Sequence, residues 1–311
     1  MKYLTAILCA GQGAQTFGMG RDLSASFPEC RALFAKANEV LGYDLQKIIF
    51  DGPETELVKS NHCQPAIFTV TAACFAALKL QCGEFSAKSA AGLSLGEWTA
   101  LYLAGAVSFE DGLRVLSARG RFMQEACEEN EGAMLSVIGL ESEKLIAVAG
   151  QCGVEIANYN TAAQTVLSGR KQNILEAEKK VKESGAKRAV LLNVAGAYHS
   201  SLMKSAGDKM NALLSGIRFN PPEFPVMSNV TGKPHGYPEE IKQAMVSQVT
   251  SSVKWIDCVQ SLAELGVNCC VECGPGRVLS GLVKRIQPQM QLCNVQDGQS
   301  LKAAVGLFGA L

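Results

Sequence analysis

Ser94 stands in Gly92-Leu93-Ser94-Leu95-Gly96, with a glycine two residues to either side. Where a strand turns sharply into a helix, that spacing lifts a serine hydroxyl out of the chain. The glycines are needed because a Cβ at either position would collide with the neighbouring strand and helix. Amides opening the following helix, at Leu95 and Gly96, would face a carbonyl attacked by Ser94 and stabilise its developing negative charge. A second glycine-rich turn, Gly11-Gln12-Gly13-Ala14-Gln15, leaves the first apolar run. In a parallel sheet both turns fall at the carboxyl ends of strands, where ligands bind, so the Gln12 amide is the candidate second oxyanion donor. The chemistry implied is acyl transfer through a covalent serine intermediate.

A serine hydroxyl needs a proton acceptor that titrates near neutrality, and the chain has three histidines, His62, His199 and His235. His62 precedes a predicted helix, and His235 sits in a polar loop rich in glycine and proline. His199 closes Val194-Ala195-Gly196-Ala197-Tyr198-His199, just past an apolar strand, and is the candidate base. A hydrolase triad in the chain order Ser, acid, His is hard to assemble: Asp111, the only aspartate between Ser94 and His199, suits the first turn of a helix. A dyad with His199 oriented by a backbone carbonyl or an amide side chain fits better. Arg119 borders the apolar face made by Leu113, Leu116, Gly120 and Met123, whereas Arg114 and Arg121 point away. Facing a cleft, its guanidinium would hold a substrate carboxylate bidentately; the alternative is a side chain lying along the edge of the core.

The elements that must position these groups read as α/β. Strand-like Tyr3 to Ala10, helical Phe27 to Leu41 and Gln64 to Leu80, and a strand near Ala87 to Gly92 have the rhythm of βα units feeding a mainly parallel sheet. A long helix follows, capped by Ser108 with Glu110 and Asp111 in its first turn. From Gly132 the pattern spells βαββαβ: Ala133 to Leu140, Glu141 to Ala149, Val154 to Tyr159, Gln164 to Ser168, Lys171 to Glu183 and Arg188 to Val194. That is the order of a small ferredoxin-like unit. Strand candidates Pro225 to Asn229, Asn268 to Cys273 and Met290 to Val295 then resume the α/β rhythm. The expected organisation is a discontinuous large domain, 1–128 and 197–311, interrupted by a small one, 129–196.

Composition excludes several classes. The 29 basic and 29 acidic residues balance and no Lys/Arg tract occurs, so no nucleic-acid footprint is present. Ala66 to Leu80 is interrupted by Thr69, Thr71 and Lys79 and falls short of the roughly 20 residues a bilayer requires. The short apolar run after Met1-Lys2 leads directly into the Gly11 turn and reads as a buried first strand of a cytoplasmic protein rather than a signal sequence. Twelve irregularly spaced cysteines read as small buried hydrophobes in a reducing compartment. Cys270-Val271-Glu272-Cys273 lacks the second ligand pair that zinc would need, so no metal is expected.

Six motifs occur in order along essentially the whole chain: Gly11-Gln12-Gly13-Ala14-Gln15, Gln64-Pro65-Ala66, Gly92-Leu93-Ser94-Leu95-Gly96-Glu97, Arg119-Gly120 with Met123-Gln124, Gly196-Ala197-Tyr198-His199-Ser200, and Gly274-Pro275-Gly276. Together they resemble the malonyl-CoA:acyl carrier protein transacylase family of bacterial type II fatty acid synthesis. The resemblance implies a large α/β-hydrolase-like domain with an inserted ferredoxin-like domain and the active site between them. It implies Ser94 as nucleophile, His199 as base, Gln12 and Leu95 as oxyanion amides, and Arg119 as partner of the malonyl carboxylate. It further implies that the Gln248 carbonyl orients the histidine and that Gln64 lines the cleft. The substrates would be malonyl-CoA and the phosphopantetheine thiol of acyl carrier protein, with no cofactor and a monomeric enzyme. An acidic carrier would meet a basic rim including Lys187, Arg188, Lys284 or Arg285. The rival readings are a transacylase of polyketide or specialised lipid synthesis, a serine thioesterase, and an idle carrier-binding member. The sequence departs from the family pattern at Leu93, where histidine is usual, and at Cys9-Ala10, where Phe-Pro is usual.

Overall fold

The computed structural model describes residues 3–83 and 85–309. Eight strands, β1 (Thr5–Cys9), β2 (Ser89–Gly92), β3 (Gly132–Ile138), β4 (Glu155–Thr161), β5 (Gln164–Arg170), β6 (Arg188–Leu191), β7 (Cys269–Cys273) and β8 (Gln291–Val295), form two four-stranded sheets. The first is parallel throughout in the order β2-β1-β7-β8, with Ala6 paired to Ser89 and Cys270. β1, β2 and β7 are buried on both faces, which is why β1 reads as an unbroken apolar run. The second sheet is antiparallel in the order β4-β5-β3-β6, and its chain path is β-α-β-β-α-β, with helices Ser142–Cys152 and Lys171–Glu183. Among its links to the rest of the fold is Val253: Tyr159 N–H donates to Val253 O at 2.9 Å, and Val253 N–H to Ala157 O at 2.8 Å.

Four expectations change. Pro225 to Asn229 forms no strand; Val226 makes an isolated parallel bridge to Ala90, after which the chain turns back at Ser228–Lys233. The helix expected from Gln64 begins a turn earlier, as Ser60–Gln81, with Pro65 inside it and His62 in its first turn rather than before it. Its 22 residues are long and apolar enough to cross a bilayer, contrary to the length argument from Ala66 to Leu80. In this fold 78% of its most apolar window is buried, so it is the core helix against which the others pack. β6 ends at Leu191, three residues short of the expected Val194.

The long helix is Phe109–Glu129, and Ser108 caps it as expected, accepting from Asp111 N–H at 3.0 Å. Gly120, a poor helix former, lies where this helix crosses Ser60–Gln81, and a Cβ there would overlap the Ser60 carbonyl. The close approach it permits sets Arg119 beside Gln64. Gly120→Ala should therefore destabilise the protein by about 1–3 kcal/mol through overpacking, despite alanine's better helix propensity, and urea denaturation will measure it. A neutral or stabilising result would show that the crossing has slack.

Candidate active site

Ser94 follows β2 and precedes the helix Leu95–Leu103 with φ 56° and ψ −108°, a left-handed conformation that a non-glycine residue holds only when its surroundings enforce it. The enforcement is visible. A Cβ on Gly92 would overlap the Gly96 backbone and one on Gly96 would overlap the Cys9 carbonyl, so the turn packs tightly against β1 as the spacing requires. Asn229 ties it down, accepting from Ser94 N–H at 2.7 Å and donating to Gly92 O at 2.8 Å. Among the described residues neither the Leu95 nor the Gln12 N–H has an acceptor within the chain, which leaves both free to serve a ligand oxygen.

His199, also at positive φ (57°), places Nε2 2.9 Å from Ser94 Oγ and Nδ1 2.9 Å from the Gln248 carbonyl. A carbonyl only accepts, so Nδ1 carries the proton and Nε2 is left to accept from the serine hydroxyl. Burial and the neighbouring Arg119 charge push the imidazole down to about 4, against hydrogen bonds to backbone that raise it. It is therefore neutral, and able to take a proton, throughout the physiological range.

Arg119 is 1% exposed, which excludes the reading that it lies along the core edge in contact with solvent. Nη1 donates to Gln64 Oε1 at 2.8 Å; Nη2 donates to Ser94 Oγ and to Gln248 Oε1, both at 3.0 Å. Burial lowers its pKa to about 10, partly offset by the Glu97 carboxylate, so it stays cationic at neutral pH. Gln64 also reaches Gln12 Oε1 at 3.4 Å, and Gln12 Nε2 donates to Ser60 Oγ at 3.1 Å. All seven residues singled out from the sequence, Ser94, His199, Gln12, Leu95, Arg119, Gln64 and Gln248, converge here. The site opens on a cavity of about 540 Å³ lined by Gln12, Leu93, Ser94, Tyr198, His199 and residues of the second sheet such as Asn158.

Sequence reasoning missed Glu97, Asn229 and His235. Glu97, one turn after Ser94, is fully buried; its carboxylate accepts from Gln248 Nε2 at 2.5 Å, Asn229 N–H at 3.2 Å and His235 Nε2 at 2.7 Å. His235, read as a loop residue, has a side chain only 2% exposed, because the turn after Val226 folds it back onto the nucleophile helix. The signal available was Glu97 itself: an acidic residue beside an apolar helix start, for which a buried partner is obligatory. Cys270 and Cys273 point to opposite faces of β7, into different hydrophobic clusters, so they cannot chelate together.

The acyl transferase domain family matches residues 7–304. The malonyl CoA-acyl carrier protein transacylase of Escherichia coli K12 is 39% identical over 307 residues, covering 97% of this chain and 99% of that one. The Bacillus subtilis protein of the same name is 36% identical over 305 residues, 96% of each. The chain belongs to the malonyl-CoA:acyl carrier protein transacylase family. A solved family structure, a malonyl-transacylase in complex with a type II polyketide acyl carrier protein, superposes with a TM-score of 0.94 at 39% identity, covering 97% of this chain and 99% of that one.

The depressed His199 pKa makes a kinetic prediction within this family site. Labelling of Ser94 by a fluorophosphonate should persist well below pH 6.5 and fall only as pH drops through about 4, where the imidazole protonates. Arg119→Gln removes a charge that lowers this pKa, so the acid limb should move to higher pH. A limb fixed in place would show that Arg119 does not act on His199.

Proposed function

We propose that the chain moves a malonyl group from malonyl-CoA to the phosphopantetheine thiol of acyl carrier protein through a malonyl ester on Ser94. The observation that carries this reading is a buried guanidinium 3.0 Å from the nucleophilic oxygen. A cation so close to the attacked carbonyl suits a short acyl chain ending in a carboxylate, and the family's named substrate is such a chain.

In the proposed sequence Arg119 exchanges its contact with Ser94 Oγ for the malonyl carboxylate, while Gln248 Oε1 goes on holding the guanidinium. Ser94 Oγ attacks the thioester carbon as its proton passes to His199 Nε2, and the Gln12 and Leu95 amides take the oxyanion. The C–S bond breaks and CoA leaves as its thiol with the proton from His199. The carrier thiol then attacks the Ser94 ester by the same steps in reverse. The binding of the substrate carboxylate neutralises Arg119 and so relieves the field that depresses His199, making the base stronger when substrate is present. No electrons change hands, so the chemistry calls for no redox cofactor.

The topology of the two sheets supports a division into a large α/β-hydrolase-like body, 1–128 and 197–311, and an inserted ferredoxin-like unit, 129–196. The cavity, lined by the turns that follow β1 and β2 and by Met134 and Asn158 of the second sheet, agrees with a site between the two units. Lys187, Arg188, Lys284 and Arg285 are all exposed and so accessible to an acidic carrier. The reading places the enzyme in the cytoplasm, supplying fatty acid synthesis. A polyketide carrier is the second reading, favoured by the likeness to the malonyl-transacylase complexed with one.

Intact-mass measurement after incubation with malonyl-CoA should show a malonyl adduct that is absent in Ser94→Ala, and added carrier protein should remove it with gain of malonyl-carrier. Free malonate without malonylated carrier would identify a thioesterase. Arg119→Ala should lower malonyl relative to acetyl loading roughly ten- to hundredfold, the worth of a charge-assisted pair.

A further inference from the structure

We infer that Glu97 and His235 are a buried positioning pair for acyl transfer, locking the Gln248 side chain so that Arg119 and His199 are both held for reaction. This deepens the malonyl-transfer reading and rests on it. Gln248 touches every part of the site: its backbone carbonyl accepts from His199 Nδ1, its Oε1 accepts from Arg119, and its Nε2 donates to the Ser94 carbonyl at 2.9 Å. An amide side chain has two nearly isosteric orientations, and something must choose between them. Glu97 Oε2 makes the choice. A carboxylate only accepts, so it draws Nε2 toward itself and turns Oε1 toward the guanidinium. The reversed amide would set its oxygen against the Glu97 and Ser94 oxygens and its NH₂ against the Arg119 cation.

His235 holds the other carboxylate oxygen. Its Nε2 donates to Glu97 Oε1, and its own backbone is pinned by its N–H donating to Val226 O at 2.8 Å, with the Ser228–Lys233 turn behind it. The Asn229 N–H occupies Glu97 Oε2 from the same turn, and Asn229 Oδ1 is the acceptor that holds the Ser94 amide. The acid missing from a serine triad is thus present at one remove. Glu97 grips the Gln248 side chain, which accepts from Arg119 and belongs to the residue whose carbonyl accepts from His199, and it supplies the negative charge that a buried guanidinium needs.

The test uses the purified full chain and single-turnover loading of Ser94 from malonyl-CoA and from acetyl-CoA, read by intact mass, with thermal melts to establish folding. His235→Leu and Glu97→Ala should lower the malonyl-to-acetyl loading ratio by about tenfold or more, because Arg119 engages only malonyl and loses its fixed position. His235→Gln, which retains a donor to the carboxylate, should recover most of the ratio. If Glu97→Ala does not fold, the two His235 variants decide. Ratios equal to wild type in folded variants, or losses equal for both acyl groups and for His235→Leu and His235→Gln alike, would overturn the inference and leave only a packing role. Failure of the wild-type protein to form any malonyl adduct would instead overturn the malonyl-transfer reading itself.

Discussion

A positive charge held out of water beside a nucleophile is the constraint around which this site is built. Moving a guanidinium into a protein interior is costly unless its donors are met and its charge is balanced. Arg119 has Gln64, Ser94 and Gln248 as acceptors, and a carboxylate one amide further away. Those partners come from three separate stretches of chain, so the need to satisfy one side chain also fixes where the core helix, the nucleophile turn and the segment before Trp255 meet. Burial, and after it the same charge, keep His199 neutral, which in the proposed mechanism joins substrate selection to base strength.

Backbone strain is concentrated in the two residues that the proposed mechanism has exchange a proton. Ser94 and His199 are the two non-glycine positions with positive φ among the described residues, and each is held by neighbours that have nowhere to move. Gly92 and Gly96 let the nucleophile turn press against β1, while Asn229 grips it from the other side. Rigid support of this kind keeps reacting atoms within hydrogen-bond reach before any ligand arrives.

Much of this was legible in the residues. The glycine spacing around Ser94 exposed the turn, apolar periodicity placed Arg119 at the edge of a buried face, and the βαββαβ order after Gly132 anticipated an antiparallel sheet. Gln64 and Gln248 were legible only through resemblance to a family, since nothing in local pattern marks a glutamine as a ligand of arginine. His235 was misread because its local composition is that of a solvated turn. What buries it is a contact with Glu97, 138 residues away in sequence. Pro225 to Asn229 was misread in the opposite sense: its apolar residues suggested a strand, yet Val226 makes only one bridge to Ala90 before the chain turns back. The membrane argument failed on length and was replaced by packing, because a core helix and a spanning helix share one composition.

The cysteines acquire a meaning from the chemistry around them. Eleven of the twelve are buried and Cys293 is partly so, and burial pushes the thiols of Cys9, Cys30, Cys63 and Cys74 upward, away from the reactive thiolate. A catalyst that passes an activated acyl group from one thiol to another works among molecules that would readily acylate, or form mixed disulfides with, any exposed thiolate of its own. By keeping its sulfur inside the core, the fold leaves CoA and the incoming carrier, rather than its own thiols, to compete for the ester proposed on Ser94, so chemoselectivity here is a property of packing as much as of the active site.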